Sequence, residues 1–238
     1  MLLGKRILVV IPARGGSKGI PRKNIALVAG KPLIRYTTEL LEELQWVDKA
    51  VVSTDDQQIA DAALVGDTVS VSWRPENLSG DRVGDMPVLA HALAEAESNK
   101  TAPFDIVVML QPTSPLRTAT HVRDCVEKLI QEKWDAVWTV SKTDSSYHPQ
   151  KQVKVLADGS IEFYLKSGAS VVARQELAPA FHRNGVAYAF SRDFVRNAKS
   201  VFSPGKTSVL LVEGHHISID TPADIAAVER SSEIRRGA

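Results

Sequence analysis

Two rhythms of apolar and polar positions run along the chain. Short β-branched runs predict buried strands, and longer segments with apolar residues three or four apart predict helices. Lys5–Ile11 is the first apolar run and has the unbroken character of a strand in a parallel sheet. Pro32–Glu43 follows, with Leu33, Ile34, Leu40, Leu41 and Leu44 at roughly helical spacing. Ala50–Ser53 predicts a second strand, Asp56–Leu64 a second helix and Thr68–Trp73 a third strand. Asp85–Ser98 has a proline near its start, then an alanine-rich helical period through Val88, Leu89, Ala92, Leu93 and Ala96. Phe104–Leu110 is the clearest buried strand. Thr120–Lys133 predicts a helix capped by Thr118 or Thr120, and Ala136–Ser141 another strand.

From about Lys142 to His182 the alternation breaks. VKVLADGSIEFYL predicts two strands around an Asp-Gly turn, a hairpin arm and not a βα unit. Gly185–Ser191 resumes as a strand, Arg192–Asn197 as a short helix, Ser208–Glu213 as a strand and Thr221–Ser232 as a closing helix. Asp220-Thr221-Pro222 supplies a cap residue and a first-turn proline for that last helix. The pattern predicts one α/β domain over residues 1–238: an open, mostly parallel, Rossmann-like sheet with a hairpin arm inserted at about 142–182.

Composition narrows the function. The formal net charge is +1, so the chain as a whole is no polyanion binder and any attraction for phosphate must be local. Aromatic residues make up 6%, too few for a base-stacking platform, which disfavours nucleic acid as a partner. The one cysteine, Cys125, excludes an internal disulfide, fits a reducing compartment and reads as a small core residue of a helix. No apolar run is long enough to span a membrane. The opening MLLGKRILVVIPARGG reads as a first strand and not as a signal peptide, so a cytoplasmic protein is expected.

Directly behind the first strand stands IPARGGSKGIPRKN, residues 11–24. Open parallel sheets bind ligands outside the carboxyl ends of their strands. Glycines there let backbone N–H groups approach an anion, and Arg14, Lys18, Arg22 and Lys23 add cations at short spacing. Together they suit a polyphosphate; the alternative is a solvated basic loop. The run fits neither the Walker pattern nor G-x-G-x-x-G, so neither a P-loop NTPase nor a nicotinamide enzyme is indicated.

The stretch resembles the signature of the acylneuraminate cytidylyltransferases, the CMP-sialic acid synthetase family. Further matching runs follow in order: Gly30-Lys31-Pro32-Leu33, Val52-Ser53-Thr54-Asp55-Asp56, Arg74-Pro75, LQPTSPLRT over residues 110–118, Arg174-Gln175-Glu176-Leu177, Asn184-Gly185 and Asp220-Thr221-Pro222. The resemblance spans nearly the whole chain. It implies transfer of CMP from CTP to the anomeric hydroxyl of a nine-carbon 2-keto sugar acid, with release of pyrophosphate. A CMP-3-deoxy-octulosonate synthetase-like enzyme and a catalytically silent nucleotide-binding module are the alternatives. By the same resemblance Arg14 and Lys18 contact the triphosphate, and Ala13, Lys23 and Asn24 complete the cradle. Arg74 is implied near the base, Gln111 at the sugar, and Arg174 at the acceptor carboxylate. Lys151 is implied on the arm, with Asn184 and Tyr188 as further contacts. Tyr188 reads first as a half-buried strand aromatic and second as such a contact. The family's arm packs against a second copy, which implies a homodimer; a lid within one chain is the alternative.

A magnesium ion is implied, with Asp220 as its ligand. Asp220 alone reads equally as a helix N-cap. Two positions depart from the family. Ser218 stands where the family has a first aspartate, on the same face as Asp220 if the segment is a strand. Asp85 stands near a family serine that contacts nucleotide or sugar; it predicts a helix cap first, and an acceptor or metal contact second. His215-His216, adjacent in a presumed strand, point to opposite faces and do not form a metal pair. Ser17 and Ser114 lack a His/Asp relay, so hydrolase chemistry is not supported.

Overall fold

The structure is a computed structural model and describes residues 1–63, 69–98, 102–214 and 216–231. In chain order its first half runs β1 (Ile7–Pro12), a small antiparallel pair β2 (Leu27–Val28) and β3 (Lys31–Pro32), α1 (Leu33–Leu40), β4 (Lys49–Thr54), α2 (Gln57–Ala63), β5 (Val69–Trp73), α3 (Asp85–Glu97) and β6 (Ile106–Met109). The second half runs α4 (Ala119–Gln131), β7 (Ala136–Lys142), β8 (Val153–Val155), β9 (Ile161–Phe163), β10 (Phe181–Ser191), α5 (Arg192–Asn197), β11 (Thr207–Leu211) and α6 (Pro222–Arg230).

Seven strands form one sheet in the order β11-β7-β10-β6-β1-β4-β5. β1 lies inside it because five of its six residues are apolar and fully buried, leaving it no solvent face. It pairs in parallel with β4 on one side and β6 on the other. Helices cover both faces. Ile34 of α1, Ile59 of α2 and Val122, Cys125, Val126 and Leu129 of α4 pack on one side; Leu89 and Leu93 of α3 and Phe194 of α5 pack on the other. Each fully buried leucine here is worth about 2–5 kcal/mol on truncation to alanine, so Leu93→Ala would open a cavity under α3. Because α1 and α3 lie on opposite faces while β4 and β6 flank β1, the connections diverge at the carboxyl end of β1. Such a switch point leaves a crevice. The basic loop follows β1 and Gln111 follows β6, so both open into that crevice.

Several sequence expectations are corrected. The strand expected at Gly185–Ser191 is longer, starts at Phe181 and runs antiparallel between β6 and β7. Its register against β7 shifts between Arg183 and Tyr188, where Gly185 takes a φ of +73°. Residues 216–220 are not a strand, which removes the shared-face argument for Ser218 and Asp220. The caps also differ. Gly84 is the N-cap of α3 and Asp85 its first helical residue, making no cap hydrogen bond. Thr221, not Asp220, caps α6: its hydroxyl accepts from Asp224 N–H while the Asp224 carboxylate accepts from Thr221 N–H, a reciprocal box. Thr118 caps α4 in the same way with His121. Thr68, Leu64, His215 and Ser232 lie outside the described residues.

The predicted arm is present as a hairpin. β8 and β9 pair antiparallel across an Asp158-Gly159 turn, with Ser160 N–H and hydroxyl both donating to the Asp158 carboxylate. Val153, Val155, Ile161, Phe163, Tyr164 and Leu165 remain exposed along it. His148, at its root, is buried and bonds the Ala178 carbonyl at 2.9 Å, a packing role.

Candidate active site

A cleft of about 270 Å³ opens at the carboxyl ends of β1 and β6. Its lining includes Arg14, Lys18, Lys23, Asn24, Arg74, Asp85 and Gln111, seven of the residues that the sequence nominates. The basic loop is held in shape by its own polar groups. Asn24 is buried and donates its amide to the Arg14 carbonyl at 3.0 Å. Gly15 N–H donates to the Asp55 carboxylate at 2.8 Å, and Ala13, fully buried, anchors the loop's start through its N–H to the Ser53 carbonyl. At Gly19 a Cβ would stand 2.6 Å from the Asp220 carbonyl oxygen, so only glycine lets the loop pass residue 220.

The loop cations are all engaged by carboxylates. Arg14 and Lys18 both reach Asp81 at 2.5 Å, Arg22 grips Asp56 at 2.6 Å, and Lys23 meets Asp220 at 2.7 Å. Hydrogen bonds from Lys18 and Arg14 hold the Asp81 carboxyl below its ordinary value. Asp81 was not singled out in the sequence. It stands 67 residues from Arg14, on the segment before α3, and no local spacing announces that pairing.

Arg74 is buried beside the cleft. Its Nη2 donates to the Ser53 carbonyl at 2.9 Å and its Nε to the Ser53 hydroxyl at 3.3 Å. Burial pulls its pKa below the ordinary value, opposed by the field of Asp55. Asp85 lies at the first turn of α3, where burial raises its carboxyl above the ordinary range against the opposing fields of Arg183 and Arg74. Behind Gln111 stands a second unanticipated residue, Arg117. Buried, it donates to the carbonyls of Val186, Gln111 and Gly185 and to the Thr37 hydroxyl, and so ties α1, β10 and the segment after β6 together.

Four nominated residues lie away from this cleft. Asn184 is buried, bonded to the Thr139 and Ser141 hydroxyls. Tyr188 is buried among Trp138 and Phe190 on the face that packs against α3. Lys151 is exposed on the arm, and Arg174 lines a separate depression at the arm's root with Lys142, Asp144 and His148. Asp220 is exposed at the cleft's edge, reached through Lys23. Among the described residues no group of three or more His, Cys, Asp or Glu is placed to hold a metal.

The profile of the family described as Cytidylyltransferase matches residues 8–203. A CMP-N,N'-diacetyllegionaminic acid synthase of Legionella pneumophila is 34% identical over 98% of this chain and 99% of its own length. The chain belongs to the cytidylyltransferase family. As a cytidylyltransferase it is a nucleotidyltransferase enzyme. A pseudaminic acid cytidylyltransferase of Campylobacter jejuni is 29% identical over 92% of each chain. The N-acylneuraminate cytidylyltransferase of Escherichia coli is 27% identical over 92% of this chain, which spans 50% of that longer relative. A solved structure of a CMP:2-keto-3-deoxy-manno-octonic acid synthetase complexed with CTP superposes with a TM-score of 0.69 at 19% identity, covering 98% of this chain and all of that one. That likeness shows the shared fold. No helix among the described residues is long and apolar enough to cross a membrane.

Proposed function

We propose that this cytidylyltransferase transfers CMP from CTP to the anomeric hydroxyl of a nonulosonic acid, releasing pyrophosphate. The observation that carries the proposal is the cleft at the carboxyl end of β1, lined by Arg14, Lys18 and Lys23 from the loop after β1 and by Gln111 from the segment after β6. Phosphoryl-type transfer asks a protein mainly for positioning and charge neutralisation. The anomeric hydroxyl oxygen forms a bond to the α-phosphorus and gives its proton to water, the bond from the α-phosphorus to the α–β bridging oxygen breaks, and pyrophosphate leaves with that electron pair. Arg14 and Lys18 neutralise the departing phosphates. Lys23, beside Asp220, flanks the α-phosphate. Full-length similarity to a nonulosonate enzyme at 34% identity supports that acceptor class over an eight-carbon one, for which the likeness is at 19%.

Magnesium fits this donor set in one mode. Without a cage of three acidic groups, an ion would be held by Asp220 and by the nucleotide's own phosphates, the arrangement hard octahedral ions accept. Bound there, the ion would withdraw charge from the phosphates. Ser218, near Asp220, brings no charge to it.

The enzyme works as a homodimer in a cytoplasmic setting. The exposed apolar residues of β8 and β9 cover a second copy, and Lys151 and Arg174, which do not reach the cleft of their own chain, serve the partner's. Pyrophosphate release assayed with CTP, magnesium and a panel of keto-sugar acids tests the activity. CTP binding without turnover on any acceptor would sink it, and a fully active monomer in sedimentation would sink the shared site.

A further inference from the structure

Among the carboxylates around the cleft, Asp85 differs in kind. Asp81 is tied to Arg14 and Lys18, Asp220 to Lys23, Asp56 to Arg22, and Asp55 takes a backbone N–H. The Asp85 carboxylate accepts no hydrogen bond from any described residue, although it lines the cleft and the residue is half-buried. It does not cap its own helix, since Gly84 holds that position. A carboxylate that lines a cleft with its acceptor sites unused by the protein points to a ligand donor.

Which ligand follows from the geometry of displacement. The cations of the basic loop hold the leaving phosphates, and an in-line attack brings the second substrate from the opposite end. Asp85 is coupled to β10, which lies beyond β6 from the strand that carries the basic loop. Its strongest charged neighbour is Arg183 on β10, ahead of Arg74, and its field reaches Tyr188 on the same strand. Arg183 is fixed by stacking over Trp138, 5.3 Å from the ring centre.

We infer that Asp85 is a specificity-determining contact for the acceptor sugar, its carboxylate accepting a hydrogen bond from a hydroxyl or amide N–H of that substrate. Arg183 and Arg74 favour the ionised form against the opposing effect of burial, and an ionised carboxylate can only accept. The site therefore rejects an acceptor that presents a carbonyl or an anion there. This rests on the proposed transfer reaction.

The test uses Asp85→Asn and Asp85→Ser with CTP and three acceptors: N-acetylneuraminate, its 5-hydroxy analogue and a 5,7-diacetamido nonulosonate. Both variants should lose roughly 10- to 100-fold in kcat/KM for the preferred acceptor, the range of a hydrogen bond to a charged group. KM for CTP and the melting temperature should hold. A loss confined to acylamido acceptors identifies an N–H donor, and a loss shared by all three identifies a hydroxyl. Unchanged acceptor kinetics overturn the inference, as does a KM for CTP that rises in step. A wild-type chain that turns over none of the acceptors overturns the proposed function, and this inference with it.

Discussion

Arg117→Met probes the wall of the site from behind. Arg117 is a buried cation with no carboxylate among its hydrogen-bond partners. Burial pulls its pKa down to about 9, so it is still charged at neutral pH. It uses its N–H groups on three carbonyls and a hydroxyl. Hydrogen bonds to a charged group are worth about 1.5–3 kcal/mol each, or roughly 6–12 kcal/mol for four. Taking the cation out of water costs several kcal/mol of that. Methionine keeps the bulk but leaves Val186, Gly185, Gln111 and Thr37 with unmet oxygens, and the net loss should be about 3 kcal/mol. With a urea slope near 3 kcal/mol per molar for a chain of this length, the unfolding midpoint should fall by about 1 M. Arg117→Lys should recover less than half, because one ammonium cannot span three elements. A midpoint within about 0.2 M of wild type would refute the argument. Because Gln111 is released at the same time, the KM for the acceptor should rise while that for CTP stays close to wild type.

The remaining predictions concern charge. Lys18→Ala should lower kcat/KM about 100-fold, as loss of a donor at developing phosphate charge does; near-normal turnover would mean that Lys18 only neutralises Asp81. Asp81→Asn should tighten CTP binding in calorimetry by roughly two- to five-fold, since the nucleotide no longer competes with a carboxylate for Arg14 and Lys18. Weaker binding would show that Asp81 itself serves the ligand. Glu97 holds Arg192 through two bonds of 2.9 Å, and those hydrogen bonds keep its carboxyl below the ordinary value of 4.5. The unfolded chain therefore binds that proton first as pH falls, and the stabilisation, present above 4.5, is lost through the lower folded value. Glu97→Gln should cost about 1 kcal/mol at neutral pH and flatten the acid limb of a stability-versus-pH curve; an unchanged limb would assign it to other carboxylates.

How much of this was legible in the sequence depended on the range of the interaction. β1 and β6 are read from composition because a strand buried on both faces must be apolar throughout. The direction of β10 leaves no such mark: an apolar run has the same period whichever way it points. The cap expected at Asp85 and the cap weighed as an alternative at Asp220 each miss by one residue, for a definable reason. Glycine, aspartate and threonine all suit the N-cap, so Gly84-Asp85 and Asp220-Thr221 each offer two candidates. For α6 a further signal was present, the Thr221 to Asp224 spacing of a reciprocal box. For α3 none was, and only the fold decides. Arg117 lies inside a motif quoted from the sequence, yet its burial depends on α1 and β10 meeting behind it.

Near-neutral net charge and a strongly basic loop are reconciled by the way the loop is occupied. Three aspartates, from three different segments, take four of its cations: Asp81 takes Arg14 and Lys18, Asp56 takes Arg22, and Asp220 takes Lys23. The cradle is thus folded around carboxylates that hold the cations in place. On the proposed function, a phosphate ligand would not fill an empty positive hole; it would exchange with Asp81 and share Lys23 with Asp220. Such an exchange favours a ligand with several linked anionic groups, because a single anion gains one contact while displacing another of similar strength. A triphosphate bound as proposed would engage Arg14, Lys18 and Lys23 together, and the linkage would make the second and third contacts intramolecular. The same logic makes binding salt-sensitive in a limited way, since each cation leaves one anion for another, and the dependence on ionic strength should be shallower than the count of cations suggests.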